Sequence, residues 1–404
     1  MPIRFQYYVL LFIPFFALFY SESLQIGGMT ISQLWKIPLA FYLIYYLLQH
    51  RHFKSPRWSE WQYVGSLKSL FNADAIVNPT SNVQTALKMA FLPLLYNYIH
   101  NHEWQAETLR KVLLVVAHYF ILTNVPVFLG LKTFKTGHDY GTFVAYSGIF
   151  QNQHAMSIIM AMCIVIILNA FKTGQLKGMA ARVYNVGLIV LACYAMYLGF
   201  ARTGWLMFLL GTITLFWPRN MSVKQWIGIL LIGFTLMAGF VYLFNTNELF
   251  HDRIVGNNIQ THQKMNVDSG RSEYMAIALD RYAHGTVPEY VFGVSYTEVR
   301  AAIQAKTKLH IGAHNGFVDA LTANGLLGLA LLLLFAFSLF AFILRRRNTE
   351  TFRLALAMWM MFWSFQTTQG GYMFHTDFIY ALIFCLLERE HEDCEYEDCV
   401  QTTK

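Results

Sequence analysis

The stretch FVDALTANGLLGLALLLLFAFSLFAFIL, residues 317–344, decides the fold of this chain. Arg345, Arg346 and Arg347 follow it directly. About 20 consecutive apolar residues cross the hydrocarbon core of a bilayer as a helix, and Lys and Arg collect on the cytoplasmic side of such a helix. The stretch therefore predicts a membrane-spanning helix that ends in the cytoplasm.

Comparable apolar runs recur along the whole chain. Of its 404 residues, 56% are hydrophobic and only 13% are charged, whereas about a quarter of the residues of a soluble domain are charged. We expect an all-α, polytopic membrane protein with about 12 transmembrane helices, nine in residues 1–244 and three in residues 314–390. Residues 61–71 are short for a span, so a total of eleven stays open. We assign residues 391–404, an acidic tail, to the cytoplasm.

One long polar segment, residues 245–313, interrupts the spans. We expect a loop that contains short helices. Ser269 or Ser272 can cap the first of these helices, and Thr297 can cap a second that runs to about Lys306. Apolar faces on such helices suit packing across the mouth of a membrane bundle.

The basic residues set the expected orientation. The short loops rich in Lys and Arg are residues 49–60, 172–182, 218–225 and 345–353. All four lie inside if both termini are cytoplasmic, and the long loop then lies on the outer side of the membrane. The net charge of +7 is largely accounted for by such loops, so it gives no argument for a nucleic-acid partner.

Arg202 lies between two apolar runs, in the turn Gly199–Trp205, with no polar loop around it. An ionised side chain at a membrane boundary is costly unless it pairs or faces an aqueous cavity. It could extend to lipid headgroups. It could also bind a phosphate, because a guanidinium is a planar, permanently charged, bidentate donor.

Arg271 is expected in the first turn of the first loop helix, with Arg281 further along the same helix. Free backbone N–H groups at a helix start favour an anion there. The alternative is a solvated arginine that pairs with Glu273.

His314 immediately precedes the helix of residues 317–344. The positive end of that helix favours a neutral imidazole, which can accept a proton from a hydroxyl group. A helix-capping histidine is an equal alternative. His310 and His314 have the spacing of a zinc pair, but no carboxylate or cysteine joins them at a suitable distance in sequence, so we expect no metal.

Taken together, these motifs resemble the O-antigen ligase and Wzy-type O-antigen polymerase superfamily of membrane glycosyltransferases. The resemblance covers about residues 150–328. It rests on Phe150-Gln-Asn-Gln-His154, Ala201-Arg-Thr-Gly-Trp205, Gly270-Arg271, Phe292-Gly-Val294 and His314-Asn-Gly-Phe317. Two positions depart from the family pattern: Ala201, where serine is common, and Ser295, where glycine is more usual.

The resemblance implies transfer of a glycan from an undecaprenyl-pyrophosphate carrier to an acceptor hydroxyl. The reaction takes place at the periplasmic face of the bacterial inner membrane, inverts the anomeric carbon and uses no metal, nucleotide or other cofactor. Arg202 and Arg271 would stabilise the pyrophosphate leaving group, and His314 would be the general base. Asn315, His138 and Arg281 are further candidates for substrate binding.

The sequence leaves three functions to be weighed against one another. Ligation of O-antigen onto lipid A–core oligosaccharide is preferred. A polymerase would use a second lipid-linked glycan as acceptor with the same chemistry. A transporter of lipid-linked sugars is less favoured, because it predicts ionisable residues inside the membrane and internal repeats. The spans are nearly free of charge and no repeat is visible.

Overall fold

A computed structural model describes most of the chain. The described residues are 25–26, 29–49, 56–70, 79–102, 104–130, 145–150, 152–199, 201–217, 238, 242, 245–247, 270–309, 311–371 and 373–402. Apart from a two-residue antiparallel pair, β1 (Gln25–Ile26) and β2 (Met29–Thr30), the regular elements in these ranges are helices. The predicted all-α class is confirmed for this part of the chain.

The helices follow in chain order. They are α1 (Ile31–Gln49), α2 (Arg57–Ser69), α3 (Pro79–Asn101), α4 (Ala106–Leu122), α5 (Asn124–Phe128), α6 (Gln153–Lys172), α7 (Met179–Gly199), α8 (Arg202–Phe216), α9 (Arg271–Ala283), α10 (Val287–Phe292), α11 (Tyr296–Thr307), α12 (Gly316–Arg345), α13 (Phe352–Thr368) and α14 (Phe374–Thr402).

Four stretches within the described ranges are long and apolar enough to cross a membrane. They are Ala106–Phe128, Gln153–Lys172, Met179–Gly199 and Gly316–Arg345. Pro38–Gln49 and Arg202–Phe216 are shorter apolar helices. The total of about 12 spans stays a prediction.

Helix α6 lies in the core, with almost all of its residues from Met156 to Ile167 buried. Helix α8 packs against it through Gly204, where an added Cβ would lie 2.4 Å from the Cβ of Ser157. Small residues at such contacts allow two membrane helices to approach closely. Gly211 of α8 packs in the same way against Met361 of α13.

The bundle has two distinct ends. Lys172 at the end of α6 donates a hydrogen bond to the carbonyl of Leu215 near the end of α8, over 2.7 Å, so these two helices run in the same direction. Lys172 also interacts electrostatically with Arg353 at the start of α13, which therefore runs the opposite way. We call the end with Arg202 and Thr368 the loop end, and the end with Lys172 and Arg353 the tail end.

Helix α12 bends at Gly325, where φ is 70° and ψ is −174°. A straight 30-residue helix would be about 45 Å long, well beyond the ~30 Å hydrocarbon core. The sequence predicted one continuous span, whereas residues 316–324 and 326–345 form two helical pieces. Glycine is required here, because an added Cβ would lie 2.3 Å from the carbonyl oxygen of Val291.

Residues 316–324 connect two helices across the loop end, and we call them the crossing segment. At one side Gly316 lies against Gly370, just after α13, where an added Cβ would be 3.0 Å from the Gly370 Cα. At the other side Lys68 of α2 donates a hydrogen bond to the carbonyl of Asn324 over 2.7 Å. The crossing segment therefore covers the space between α13 and α2.

The loop helices begin at other residues than the sequence suggested. Helix α9 follows Gly270, which is in the left-handed region and takes the cap position in place of Ser272, whereas Ser269 lies outside the described residues. The cap of α11 is Ser295, whose Oγ accepts a hydrogen bond from the Glu298 N–H, rather than Thr297. Helix α10, which the sequence reading did not predict, begins with a capping box between Thr286 and Glu289.

Helix α14 continues to Thr402, so the acidic tail is helical through that residue.

Candidate active site

Arg271 is the first residue of α9, and its side chain reaches the far end of α13. Its Nη1 donates a hydrogen bond to the carbonyl of Thr368 over 2.6 Å. The last carbonyls of a helix have no partner within the helix and carry partial negative charge. The end of α13 is therefore an electrostatically suitable anchor for a guanidinium, and it fixes where Arg271 points.

Asn315 is anchored to the same end of α13, at the carbonyl that precedes the one bound by Arg271. Its Nδ2 donates to the carbonyl of Thr367 over 3.1 Å. Its Oδ1 accepts hydrogen bonds from the N–H groups of Phe317 and Val318, at 3.0 and 3.1 Å, and so caps α12. Asn315 and Arg271 thus use adjacent carbonyls of one helix to bring the starts of α9 and α12 together.

His314 has a φ of 55°, in the left-handed region that non-glycine residues rarely adopt. Such a conformation persists only where surrounding contacts impose it, and it occurs often at functional sites. The His314 ring lies beside the ring of Tyr274, with 6.3 Å between centroids. Tyr274 is buried one helical turn after Arg271. The structure therefore brings His314 and the start of α9 together.

Tyr274 was not among the site residues expected from the sequence. Its position three residues after Arg271 puts it on the same helix face, which is the signal that could have identified it. The carbonyls of Thr367 and Thr368 were missed as well, because main-chain acceptors leave no pattern in a sequence.

Arg202 is the first residue of α8 and is exposed. It lies nine residues before Gly211, and Thr368 lies seven residues after Met361, the contact partner of Gly211. Because α8 and α13 are antiparallel and rise about 1.5 Å per residue, Arg202 and Thr368 reach the loop end within about one helical turn of each other. Arg202, Arg271 and His314 therefore share one end of the bundle.

Arg281 is not brought to this cluster. It lies ten residues beyond Arg271, about 15 Å along α9. Its Nη2 is 2.8 Å from Oε1 of Glu289 and also contacts Glu298. The Thr286 N–H, followed by the Arg281 guanidinium, lowers the pKa of Glu289 to about 2. In this arrangement Arg281 joins α9 to α10 and α11.

The structure describes only some of the histidines that were predicted as possible ligands. His138, the remaining predicted substrate-binding residue, and His310 lie outside the described residues. Within the described ranges, no group of three or more His, Cys, Asp and Glu side chains is arranged to hold a metal ion.

The loop end therefore carries two guanidinium groups and one imidazole, of which Arg271 and His314 belong to neighbouring helix starts. Guanidinium groups bind phosphate oxygens with two parallel hydrogen bonds. An imidazole that is neutral can accept a proton from a hydroxyl group. Together these groups can stabilise a phosphate leaving group and activate a nucleophilic hydroxyl.

Comparison with protein families finds a match over part of the chain. Residues 187–333 match the family model described as O-antigen ligase. No curated protein matches the chain. The matched residues include Arg202, Arg271, Arg281, His314 and Asn315, whereas His138 and the motif at residues 150–154 precede them. The resemblance read from the sequence is thus confirmed: residues 187–333 of this chain are similar to the O-antigen ligase superfamily.

Proposed function

We propose that this protein transfers a glycan from an undecaprenyl-pyrophosphate carrier to an acceptor hydroxyl, and that the acceptor is lipid A–core oligosaccharide. The observation that supports this most is the anchoring of Arg271 and Asn315 to adjacent carbonyls at the end of α13. This anchoring holds His314, which directly precedes Asn315, beside the start of α9. The proposed base, His314, and the proposed cation, Arg271, are therefore close together.

The reaction is a single displacement. The oxygen of the acceptor hydroxyl attacks the anomeric carbon, and the bond from that carbon to the pyrophosphate oxygen breaks. His314 accepts the hydroxyl proton, and the leaving pyrophosphate keeps the bonding electron pair. Arg271 and Arg202 stabilise the charge that develops on the leaving group, where preorganised donors in a partly dry site have their largest effect. The anomeric configuration inverts.

In this proposal the loop end faces the periplasm and the tail end faces the cytoplasm of a bacterial inner membrane. The support is the cluster of basic residues at the tail end, where Lys172 and Arg345 end their helices. Short loops rich in such residues stay in the cytoplasm.

Substitution of His314 tests the mechanism directly. We expect His314→Ala to reduce transfer of a labelled glycan by about 10²–10⁴-fold, the usual contribution of a general base. The assay uses purified protein in liposomes that contain lipid-linked donor and lipopolysaccharide core. His284→Ala is the matched control, because His284 is an exposed histidine of the same loop whose hydrogen bond goes to its own helix. Full transfer by the His314 variant would remove the proposed mechanism.

The acceptor is tested in cells. We expect deletion of the gene to leave lipopolysaccharide core without any attached polymer on a gel. Core that carries a single repeat unit would indicate the polymerase reaction instead. Transfer by the purified protein should also persist in excess chelator, and its loss would contradict the metal-free mechanism.

A further inference from the structure

A cavity opens beneath the crossing segment, beside the proposed active site. It lies between α2, α12 and α13 and has a volume of about 50 Å³, counted as the space open to the centre of a water-sized sphere. One water needs about 10–15 Å³ by this measure, so the cavity has room for a group several times larger than a water. Gly316, which directly follows the cap residue Asn315, forms part of its wall.

A second cavity of about 20 Å³ by the same measure continues from the first toward the start of α14. The two cavities share Gln62, Phe335, Gln366 and Gly371 as lining residues. We call the two together the double cavity.

Two buried acceptor oxygens line the second cavity. Gln62 is 4% exposed and Asp377 is 5% exposed. Within the described part of the chain, no group donates a hydrogen bond to Oε1 of Gln62 or to Oδ2 of Asp377. Buried polar atoms are nearly always hydrogen-bonded, and leaving one unsatisfied is costly. Two such oxygens at one cavity call for hydrogen-bond donors there, which the hydroxyl groups of a ligand or water can supply.

The rim of the double cavity is joined to the proposed base. Asp319 lines the first cavity, and its Oδ1 accepts a hydrogen bond from the N–H of Ala313 over 3.3 Å. Ala313 directly precedes His314. A ligand in the double cavity would thus lie next to the main chain that carries the imidazole.

The charges in the double cavity argue against a pyrophosphate ligand. Asp319 and Asp377 contribute carboxyl groups. Lys68 is the one basic side chain among the described residues that line it, and its ammonium donates to the carbonyls of Phe292 and Asn324. A hydroxyl-rich ligand without phosphate fits better, because hydroxyl groups both donate and accept.

The apolar walls fit the same kind of ligand. Trp61, Leu331 and Phe335 line the first cavity opposite the polar groups. A sugar ring has hydroxyl groups around its edge and C–H groups on its faces, so it can use both kinds of wall. We propose that the double cavity binds the sugar residue of the acceptor whose hydroxyl is glycosylated, with Gln62 and Asp377 bound to its other hydroxyl groups. This inference rests on the proposed function, which places the donor pyrophosphate at the arginines.

A binding measurement tests the inference without relying on transfer. The probe is the water-soluble core oligosaccharide obtained by deacylating the lipopolysaccharide of the source bacterium. Its dissociation constant for the purified full-length protein is measured by calorimetric titration. We expect Gln62→Met and Asp377→Asn each to weaken binding by about tenfold, the effect of one lost hydrogen bond at a desolvated site.

Asn169→Leu is the matched control. Asn169 is also buried, its Oδ1 also receives no hydrogen bond from the described residues, and it lies near the tail end of α6. Binding by this variant should equal that of the unmodified protein. Ala320→Leu, which fills the first cavity without removing a polar group, should abolish binding and leaves the test valid if a polar variant does not fold.

The outcomes separate the two proposals. Equal binding by all folded variants, or no binding by the unmodified protein, overturns the assignment of the double cavity. In the transfer assay, the Gln62 and Asp377 variants should raise the KM for the acceptor and leave the KM for the donor within twofold. If His314→Ala keeps full transfer while the cavity variants lose binding, the mechanism fails and the glycan site stands.

Discussion

The two ends of the bundle hold their charged side chains in different ways. At the tail end, the side chain of Glu390 is 6% exposed and receives hydrogen bonds from Arg110 and from both the N–H and the hydroxyl of Thr351. Glu388 beside it contacts Arg346 at 2.7 Å and the hydroxyl of Tyr96. Here each of these two carboxyl groups contacts an arginine.

At the loop end, Arg271 is held by a main-chain carbonyl, and His314 has a left-handed backbone. The carbonyl orients the guanidinium through a partial rather than a formal charge. The comparison teaches that the tail end is built for stability and the loop end for positioning. Substitutions at the two ends should therefore change different quantities.

Among the substitutions that compare the two ends, Arg271→Ala should have the largest effect. Arg271→Ala should lower the transfer rate by about 10²–10³-fold, because it removes a donor to the transition state. Arg271→Lys should recover only part of the rate, since it keeps the charge but loses the planar pair of donors. Initial rates in proteoliposomes measure this, with thermal unfolding as the control for folding. A rate for Arg271→Ala within threefold of the unmodified protein would contradict the assigned role.

Substitution of Glu390 should change the stability of the protein and leave its transfer rate unchanged. Glu390→Ala should lower the free energy of unfolding by about 3 kcal/mol, because it leaves Arg110 and the Thr351 N–H without this carboxylate. The transfer rate per folded molecule should stay unchanged. Glu392→Ala is the control, because Glu392 pairs with Arg389 at 2.6 Å but its side chain is 44% exposed. That change should cost less than about 1 kcal/mol. Equal destabilisation by both variants would show that the tail end is not a stabilising cluster.

Substitution of Asn315 should change both the stability and the transfer rate, because Asn315 caps a helix and also donates a hydrogen bond to Thr367. Asn315→Ala should cost about 1 kcal/mol of stability through the lost cap and also lower the transfer rate. Asn315→Asp should keep the cap, since aspartate is an equally good N-cap residue, but lose the hydrogen bond to Thr367. Chemical denaturation and initial rates for both variants separate the two roles. If Asn315→Asp has the rate of the unmodified protein, docking on Thr367 does not matter for catalysis.

The smallest effect concerns Glu289 and pH. Its pKa falls from about 4.5 to about 2 on folding, so its contribution to loop stability is complete above pH 4.5. The contribution is lost as the pH decreases from about 4.5 to about 2. Amide exchange of residues 287–292, corrected for intrinsic rates, should therefore lose protection over this range. In Glu289→Gln the protection of these amides should be lower than in the unmodified protein at neutral pH. It should not change between about pH 4.5 and about pH 2. Identical pH profiles for the two proteins would remove this assignment.

Much of the fold could be predicted because it follows from local pattern. The apolar run at residues 317–344 and the arginines after it needed only the length of a bilayer and the distribution of charge. The bend at Gly325 was not predicted, although the glycine was visible. Its left-handed backbone depends on Val291, which is far away in sequence, and no local pattern reports such a contact.

The candidate site was predicted in part. Arg202, Arg271 and His314 were named together through resemblance to a family, and helix directions bring them to one end of the bundle. Arg281 looked equivalent to Arg271 because both are arginines on one loop helix. Its pairing with Glu289 and Glu298 depends on how three helices pack, which the sequence does not report.

The bend in α12 also has a consequence for lipid. Residues 326–345 alone are about 30 Å long, the thickness of the hydrocarbon core. A straight helix would raise His314 by roughly another 13 Å above that core. In the proposed reaction, the lipid-linked donor would then have to leave the bilayer with part of its isoprenoid chain, at about 0.8 kcal/mol for each CH₂ exposed to water. Because α12 bends at Gly325, residues 316–324 do not extend the axis of the span, so in this proposal a polyprenyl carrier would have to rise less far to reach His314.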